Sequence, residues 1–176
     1  MADNTISNFI TGFGGGARAN LFAVTIVGGP TLTNFDFHCK AASLPSSIIG
    51  VIPVNYRGRI LSIPGDRTFE DWTITIINEE NMELKRAFID WQRKLNDHTL
   101  NTGKPFDGWA QATVSQLKRD GSVGSTFTLE HVWCDNVSST DVGWDTVDSI
   151  TEFTVTMKYH NLTYTGTGTG KSDPRD

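Results

Sequence analysis

A chain of 176 residues holds enough material for one well-packed core and too little for two ordinary ones, so a single domain with attachments is expected. A formal charge of -5 argues against a protein that grips nucleic acid through a basic face, because such binding depends on Lys and Arg displacing phosphate counterions. Hydrophobic content of 38% with 17 glycines and abundant Thr favours strands and turns, and nowhere is there an apolar run long enough for a membrane helix.

Met1 to Phe13 is polar and mixed, with no basic stretch leading into an apolar run, so no exporting or anchoring segment is expected. Gly12-Phe13-Gly14-Gly15-Gly16 leaves the backbone unconstrained, and residues 1–19 read as a flexible arm able to reach a neighbour. Residues 20–164 read as the single domain. Within it Asn20–Val27 is a strand with apolar residues on both faces, ending at Gly28-Gly29-Pro30, and Leu32–Ala41 is a second candidate strand.

Ser43–Asp66 contains Pro45, Pro53 and Pro64 with Gly50, Gly58 and Gly65. Prolines at that density exclude a central strand, and the stretch reads as an extended arm or open hairpin, a long projecting loop. Thr68–Ile77 follows, with Trp72, Ile74 and Ile76 alternating with Thr73 and Thr75 at the period of a half-buried strand. One helix is expected over about 79–95: Asn78 is placed to cap it, Glu79 and Glu80 suit its positive end, and Leu84, Phe88, Trp91 and Leu95 share one face.

The remaining chain reads as strands at Trp109–Leu117, Thr126–Trp133 and Ile150–Tyr159. The last has Phe153, Val155 and Met157 on one side and Glu152, Thr154 and Thr156 on the other. Residues 165–176 are a Thr/Gly run followed by charges, too poor in apolar groups to repay ordering, and are expected to be mobile. The result is a mainly β chain, a sandwich or barrel of about six or seven strands with one helix on its side or rim.

Charge is segregated along the chain. Between Asp120 and Met157 lie Asp120, Glu130, Asp135, Asp141, Asp145, Asp148 and Glu152 and no Lys or Arg, so the C-terminal third repels phosphate. Sites for chemistry are weakly supported. No Gly-x-Ser-x-Gly and no phosphate loop occur, and the Gly12–Gly16 run follows no expected strand. His38-Cys39 with His131 and Cys134 could suggest zinc, but adjacent strand residues point to opposite faces. Asp141, Asp145 and Asp148 lack the spacing of a calcium loop. Trp109, Trp133 and Trp144 remain free for a carbohydrate-binding β-sandwich. Cys39 and Cys134 are expected as thiols, and no enzyme activity, cofactor or metal is expected.

The segment Val54-Asn55-Tyr56-Arg57-Gly58, then Gly65-Asp66-Arg67-Thr68-Phe69-Glu70-Asp71-Trp72-Thr73-Ile74-Thr75, then Phe88-Ile89-Asp90-Trp91, closely resembles the tail tube proteins of contractile-tailed bacteriophages, the myovirus tail tube family. Val142-Gly143-Trp144-Asp145-Thr146 and Ile150 to Tyr159 are similar to that family's last strands. The resemblance implies a barrel-like subunit in hexameric rings, stacked into a tube inside a contractile sheath, with a lumen that carries DNA during ejection. Its partners would be copies of itself, the sheath protein, a baseplate tube initiator and a tail terminator. Tape measure protein and DNA would pass without specific binding. Its place would be the virion tail, after synthesis in the host bacterial cytoplasm.

In that frame the long loop reaches the adjacent ring, with Asn55, Tyr56, Arg57, Gly58, Arg59, Asp66 and Arg67 as inter-ring candidates, its arginines meeting the acidic C-terminal third of a neighbour. Strand parity makes Asp71, Thr73, Thr75, Glu152, Thr154 and Thr156 the lumen candidates, since a channel for DNA should repel phosphate. The alternatives are the tube or ring protein of a related injection or secretion system, a tube initiator, or the sugar-binding sandwich.

Overall fold

The computed structural model describes residues 5–13, 16–32, 34–104 and 106–166. In chain order these form α1 (Ile6–Phe13), β1 (Phe22–Val27), α2 (Phe35–His38), β2 (Cys39–Ala42), β3 (Ser47–Tyr56), β4 (Arg59–Phe69), β5 (Trp72–Ile77), α3 (Glu83–Leu95), β6 (Ala110–Leu117), β7 (Val123–Val137), β8 (Glu152–Lys158) and β9 (Asn161–Gly166). A 7-stranded antiparallel sheet runs β1-β6-β7-β8-β5-β2, with β9 also paired to β7, while β3 and β4 pair only with each other. The mainly β expectation with one long helix holds, but the sheet does not close into a barrel within one chain. Among the described residues β1 pairs only β6 and β2 pairs only β5, which leaves an outer edge without a strand partner at each margin.

The core lies between one face of this sheet and α3. Alternation places Trp72, Ile74 and Ile76 of β5 beside Phe153, Val155 and Met157 of β8, all buried, and α3 lays Leu84, Phe88 and Trp91 on them. Phe88 stands at 6.3 Å from both Phe35 and Phe153 and 6.2 Å from Trp91 in edge-on or tilted arrangements. The Trp91 indole donates its N–H to the Gly108 carbonyl at 2.6 Å, which satisfies the polar end of a buried ring and pins the turn before β6.

Strand β7 changes partners along its length. Residues 125–130 pair β9 and Trp133–Val137 pair β8, while β6 runs along the other edge. At the changeover β6 advances from Ala112 to Ala110 while β7 advances from Leu129 to Val132, an extra residue absorbed by His131 at φ 56°. Without that bulge, strict alternation would turn His131 inward. With it, Leu129, Val132 and Cys134 are buried and His131 is exposed.

Several elements depart from the sequence reading. Within the expected flexible arm lies the 8-residue helix α1, whose Ile6, Phe9, Ile10 and Phe13 recur at helical spacing, with the Phe9 and Phe13 rings stacked at 5.4 Å. The Leu32–Ala41 strand is a single turn of helix, α2, followed by a short strand. The long helix starts at Glu83 rather than near 79, because Asn78 is tied to β8: its backbone N–H reaches the Thr151 carbonyl at 2.9 Å and its amide reaches the Thr151 hydroxyl at 3.1 Å. Met82, at φ 51°, takes the N-cap position without a side-chain cap. Of the tail expected to be mobile, Thr165 and Gly166 complete β9 and residues 167–176 lie outside the described residues.

Phe88→Ala should lower the unfolding free energy by about 3–5 kcal/mol, read from urea transitions followed by circular dichroism. Leu61→Ser, on the exposed β3–β4 hairpin, should change it by less than about 0.5 kcal/mol.

Candidate assembly interface

The β3–β4 hairpin is exposed along nearly its whole length, and no other element among the described residues packs over its apolar residues from Ile48 to Ile63. Cross-strand pairs Ile52↔Ile63, Val54↔Leu61 and Tyr56↔Arg59 set one face, a row of branched aliphatics capped by Tyr56. The other face carries Val51↔Pro64, Pro53↔Ser62 and Asn55↔Ile60. At the tip Arg57 (φ 45°) and Gly58 (φ 80°) are both left-handed, the conformation of a tight two-residue turn whose twist matches its strands. The Arg57 guanidinium lies 5.3 Å from the Tyr56 ring centroid.

The hairpin's root is fastened to the body. The Trp72 indole donates to the Ser43 carbonyl at 2.8 Å, and the Tyr159 hydroxyl donates to the Ser46 carbonyl at 2.7 Å. The Phe69 and Tyr159 rings sit 5.3 Å apart. Burial pushes the Tyr159 hydroxyl above its ordinary range, so it stays a donor. Rigid root and free tip make the arm a projecting lever. Of the inter-ring candidates, Asn55, Tyr56, Arg57, Gly58 and Arg59 share the tip. Asp66 and Arg67 lie roughly 20–25 Å back along the strand, beside the Gly50 bulge, so the set is two patches rather than one. Among the described residues none of Arg57, Arg59 and Arg67 is in an ion pair.

Register puts the lumen candidates together on the face opposite α3. Thr73 opposes Thr156 and Thr75 opposes Thr154, with Glu152 opposite Ile77 at one end and Asp71 beside Trp72 at the other. The acids are not free, contrary to an acidic wall. Lys40 Nζ holds Glu152 at 2.5 Å, and Lys158 Nζ holds Asp71 at 2.8 Å and Asp135 at 3.9 Å. The Asp71 hydrogen bond raises the Lys158 ammonium above its ordinary range, so the amine stays charged. The face is a lane of threonines bounded by self-compensated charges.

The competing site readings find little support. His38, Cys39, His131 and Cys134 do not converge, and among the described residues no three metal-ligating side chains are grouped. Trp109 and Trp133 line one shallow cleft of about 440 Å³, but the Trp109 ring already meets Phe106, His131 and His160 at 4.6–5.5 Å, which leaves it no clear face for a sugar. Trp144 stands apart, fully exposed in the loop between β7 and β8 with Val142, Val147 and Ile150. The α1 stripe is likewise exposed among the described residues, and the sequence reading assigned neither surface as a contact.

Residues 17–165 match the phage tail tube protein family. The chain is 37% identical over 146 residues to the tail tube protein gp19 of Enterobacteria phage T4, covering 80% of this chain and 87% of that protein. It is 31% identical over 117 residues to the tail tube protein of Serratia phage KSP90, covering 65% and 66%. In fold it is similar to a chain of the anti-feeding prophage baseplate, with TM-score 0.68, 18% identity and coverage of 85% and 95%. It is also similar to a chain of the sheath–tube complex of an extracellular contractile injection system in its extended state, with TM-score 0.61, 15% identity and coverage of 93% and 99%.

Cys39 and Cys134 are free and buried, and burial pushes their thiols up to about 11 and about 12. Both therefore stay protonated at pH 8, where the thiolate is the reactive form. Native protein at that pH should release no colour from a disulfide reagent over minutes, and both thiols should titrate after unfolding in guanidinium.

Proposed function

Since the chain belongs to the phage tail tube protein family, and so is a structural component of a virion tail, we propose that its copies close into hexameric rings that stack into a hollow conduit for DNA ejection within a contractile sheath. The observation that carries this reading is the β3–β4 hairpin: long, apolar, rigidly rooted and without a partner in its own domain. A surface of that kind on a stable domain is an interface awaiting a second chain. The free margins at β1 and β2 supply the lateral half of the argument. Unpaired backbone groups on an edge strand are satisfied when an identical neighbour continues the sheet. Contact between unlike patches, repeated head to tail, then builds an open filament.

The role is structural and non-catalytic in this reading. The chain meets the sheath protein on the outside, a baseplate initiator at one end and a terminator at the other, after synthesis in the host cytoplasm. Tape measure protein and DNA pass through. The phage tube is favoured over an injection-system tube by the sequence identity to phage tail tube proteins, whereas the injection-system likenesses support the fold alone.

The Thr73, Thr75, Thr154 and Thr156 lane forms the luminal wall. Short neutral side chains offer phosphate no cation, and Lys40 and Lys158 are each occupied by a carboxylate, so DNA slides without release of counterions to hold it. Arg57, Arg59 and Arg67 meet the acidic C-terminal third of the subunit in the next ring.

Arg57→Glu with Arg59→Glu should shorten or abolish tubes of the purified protein in negative-stain micrographs while leaving its circular dichroism unchanged; tubes of ordinary length and yield would remove the inter-ring assignment. A reconstruction of the tube should place Thr154 and Thr156 on the inner wall. Finding them beneath the outer surface or at a subunit boundary would overturn the luminal assignment.

A further inference from the structure

We infer that the loop between β7 and β8 is the receptor for the hairpin tip of a second copy, with Trp144 as its anchor. The inference rests on the tube reading above and names the partner segment within it. Trp144 is 103% exposed, so its indole is covered by none of the described residues. Its backbone sits in a hydrogen-bonded turn. Gly143 and Thr146 close a turn around it, the Thr146 N–H reaching the Gly143 carbonyl at 3.3 Å and the Thr146 hydroxyl reaching the same oxygen at 2.5 Å. Trp144 and Asp145 are the two central residues of that turn.

The same loop carries Val142, Val147 and Ile150, all exposed, and Asp141, Asp145 and Asp148, none of them in an ion pair among the described residues. Residues 138–151 carry no Lys or Arg. The hairpin tip is the converse on both counts. It offers an aliphatic face of Ile52, Val54, Leu61 and Ile63 and the unpaired cations Arg57 and Arg59, with no acid between Ser47 and Gly65. Apolar surface and charge are thus complementary between two patches of one sequence that each lack an internal partner.

In this contact the pieces pair by chemistry. The indole lies over Val54 and Leu61, and Arg57 and Arg59 face Asp141 and Asp145. Burying an indole removes roughly 150–250 Å² from water. Trp, Tyr and Arg are the residues on which binding energy concentrates at such contacts. Arg57 already uses an aromatic face within its own hairpin, that of Tyr56, and Trp144 gives it a second. The two patches are unlike, so the contact is heterologous and does not cap itself.

Full-length chains carrying Leu61→Cys and Val147→Cys, mixed and assembled, test the contact directly. Both substitutions leave Trp144 and the charges in place, and the native thiols are buried and unreactive. A short bismaleimide should link the two variants within tubes and not in dilute unassembled protein. Trp144→Ala should keep its thermal transition while raising the concentration needed for tube growth about tenfold or more. Arg57→Glu/Arg59→Glu chains should regain growth when Asp141→Lys/Asp145→Lys is added to the same chain. Tubes that form without the cross-link, or Trp144→Ala chains that assemble at the wild-type concentration, would sink the receptor assignment and leave the tube reading standing, the exposed indole then serving another partner such as the sheath. Wild-type chains that never form tubes would remove both.

Discussion

Three strands of the main sheet, β1, β2 and β9, have one strand partner each among the described residues, and the tube reading rests on the outer edges this leaves. A backbone N–H or C=O on an edge must find a partner in water, in a covering element or in another sheet. Here α2 lies beside both β1 and β2 but adds no strand to either, and the apolar hairpin adds a second surface that the described residues of the domain leave unsatisfied. In the tube reading these two deficits have different directions. The sheet margins call for a neighbour at the side and the hairpin for a neighbour along the axis. One chain can therefore specify a two-dimensional lattice that closes in one direction and grows in the other.

Strand β7 lets a single sheet serve this purpose while keeping a core. Its 15 residues outrun any one partner, and the bulge at His131 resets which side chains point inward as pairing passes from β9 to β8. Upstream of the bulge Leu129 faces the core, and downstream Val132 and Cys134 do. The sheet thus bends without losing its apolar face, and β8 can present Thr154 and Thr156 on the far side in register with β5. The lane and the core are two faces of the same alternation.

That alternation is why β5, β8 and the α3 stripe could be read from the sequence. Each depends on a local period supported by burial of Trp72, Phe153 or Phe88. The arm was legible through its prolines and glycines, which exclude a central strand whatever the context. What stayed hidden depended on distant partners. Asn78 has the chemistry of a helix cap, yet Thr151, far along the chain, takes its amide and its N–H, and the helix starts later. β9 is rich in Thr and Gly and carries only Leu162 and Tyr164 as apolar alternation; it is a strand because β7 offers an edge. In α1 the stripe of Ile6, Phe9, Ile10 and Phe13 was present, but the glycine run beside it suggested freedom rather than order. The tip of the hairpin was legible as a site, whereas the distance between it and Asp66 follows from strand register alone.

The prolines of the hairpin have a further effect. A solitary two-stranded ribbon of Ile, Val and Leu has the composition of an amyloid-forming segment, and a cell filling with unpolymerised subunits would expose many copies of it. Pro53 and Pro64 remove N–H groups from the ribbon, and the irregularity at Gly50 interrupts its flat hydrogen-bonding pattern. Strands from unrelated chains therefore find a broken template, while a partner that recognises side chains loses nothing. In the tube reading, this keeps free subunits dispersed until growth consumes them.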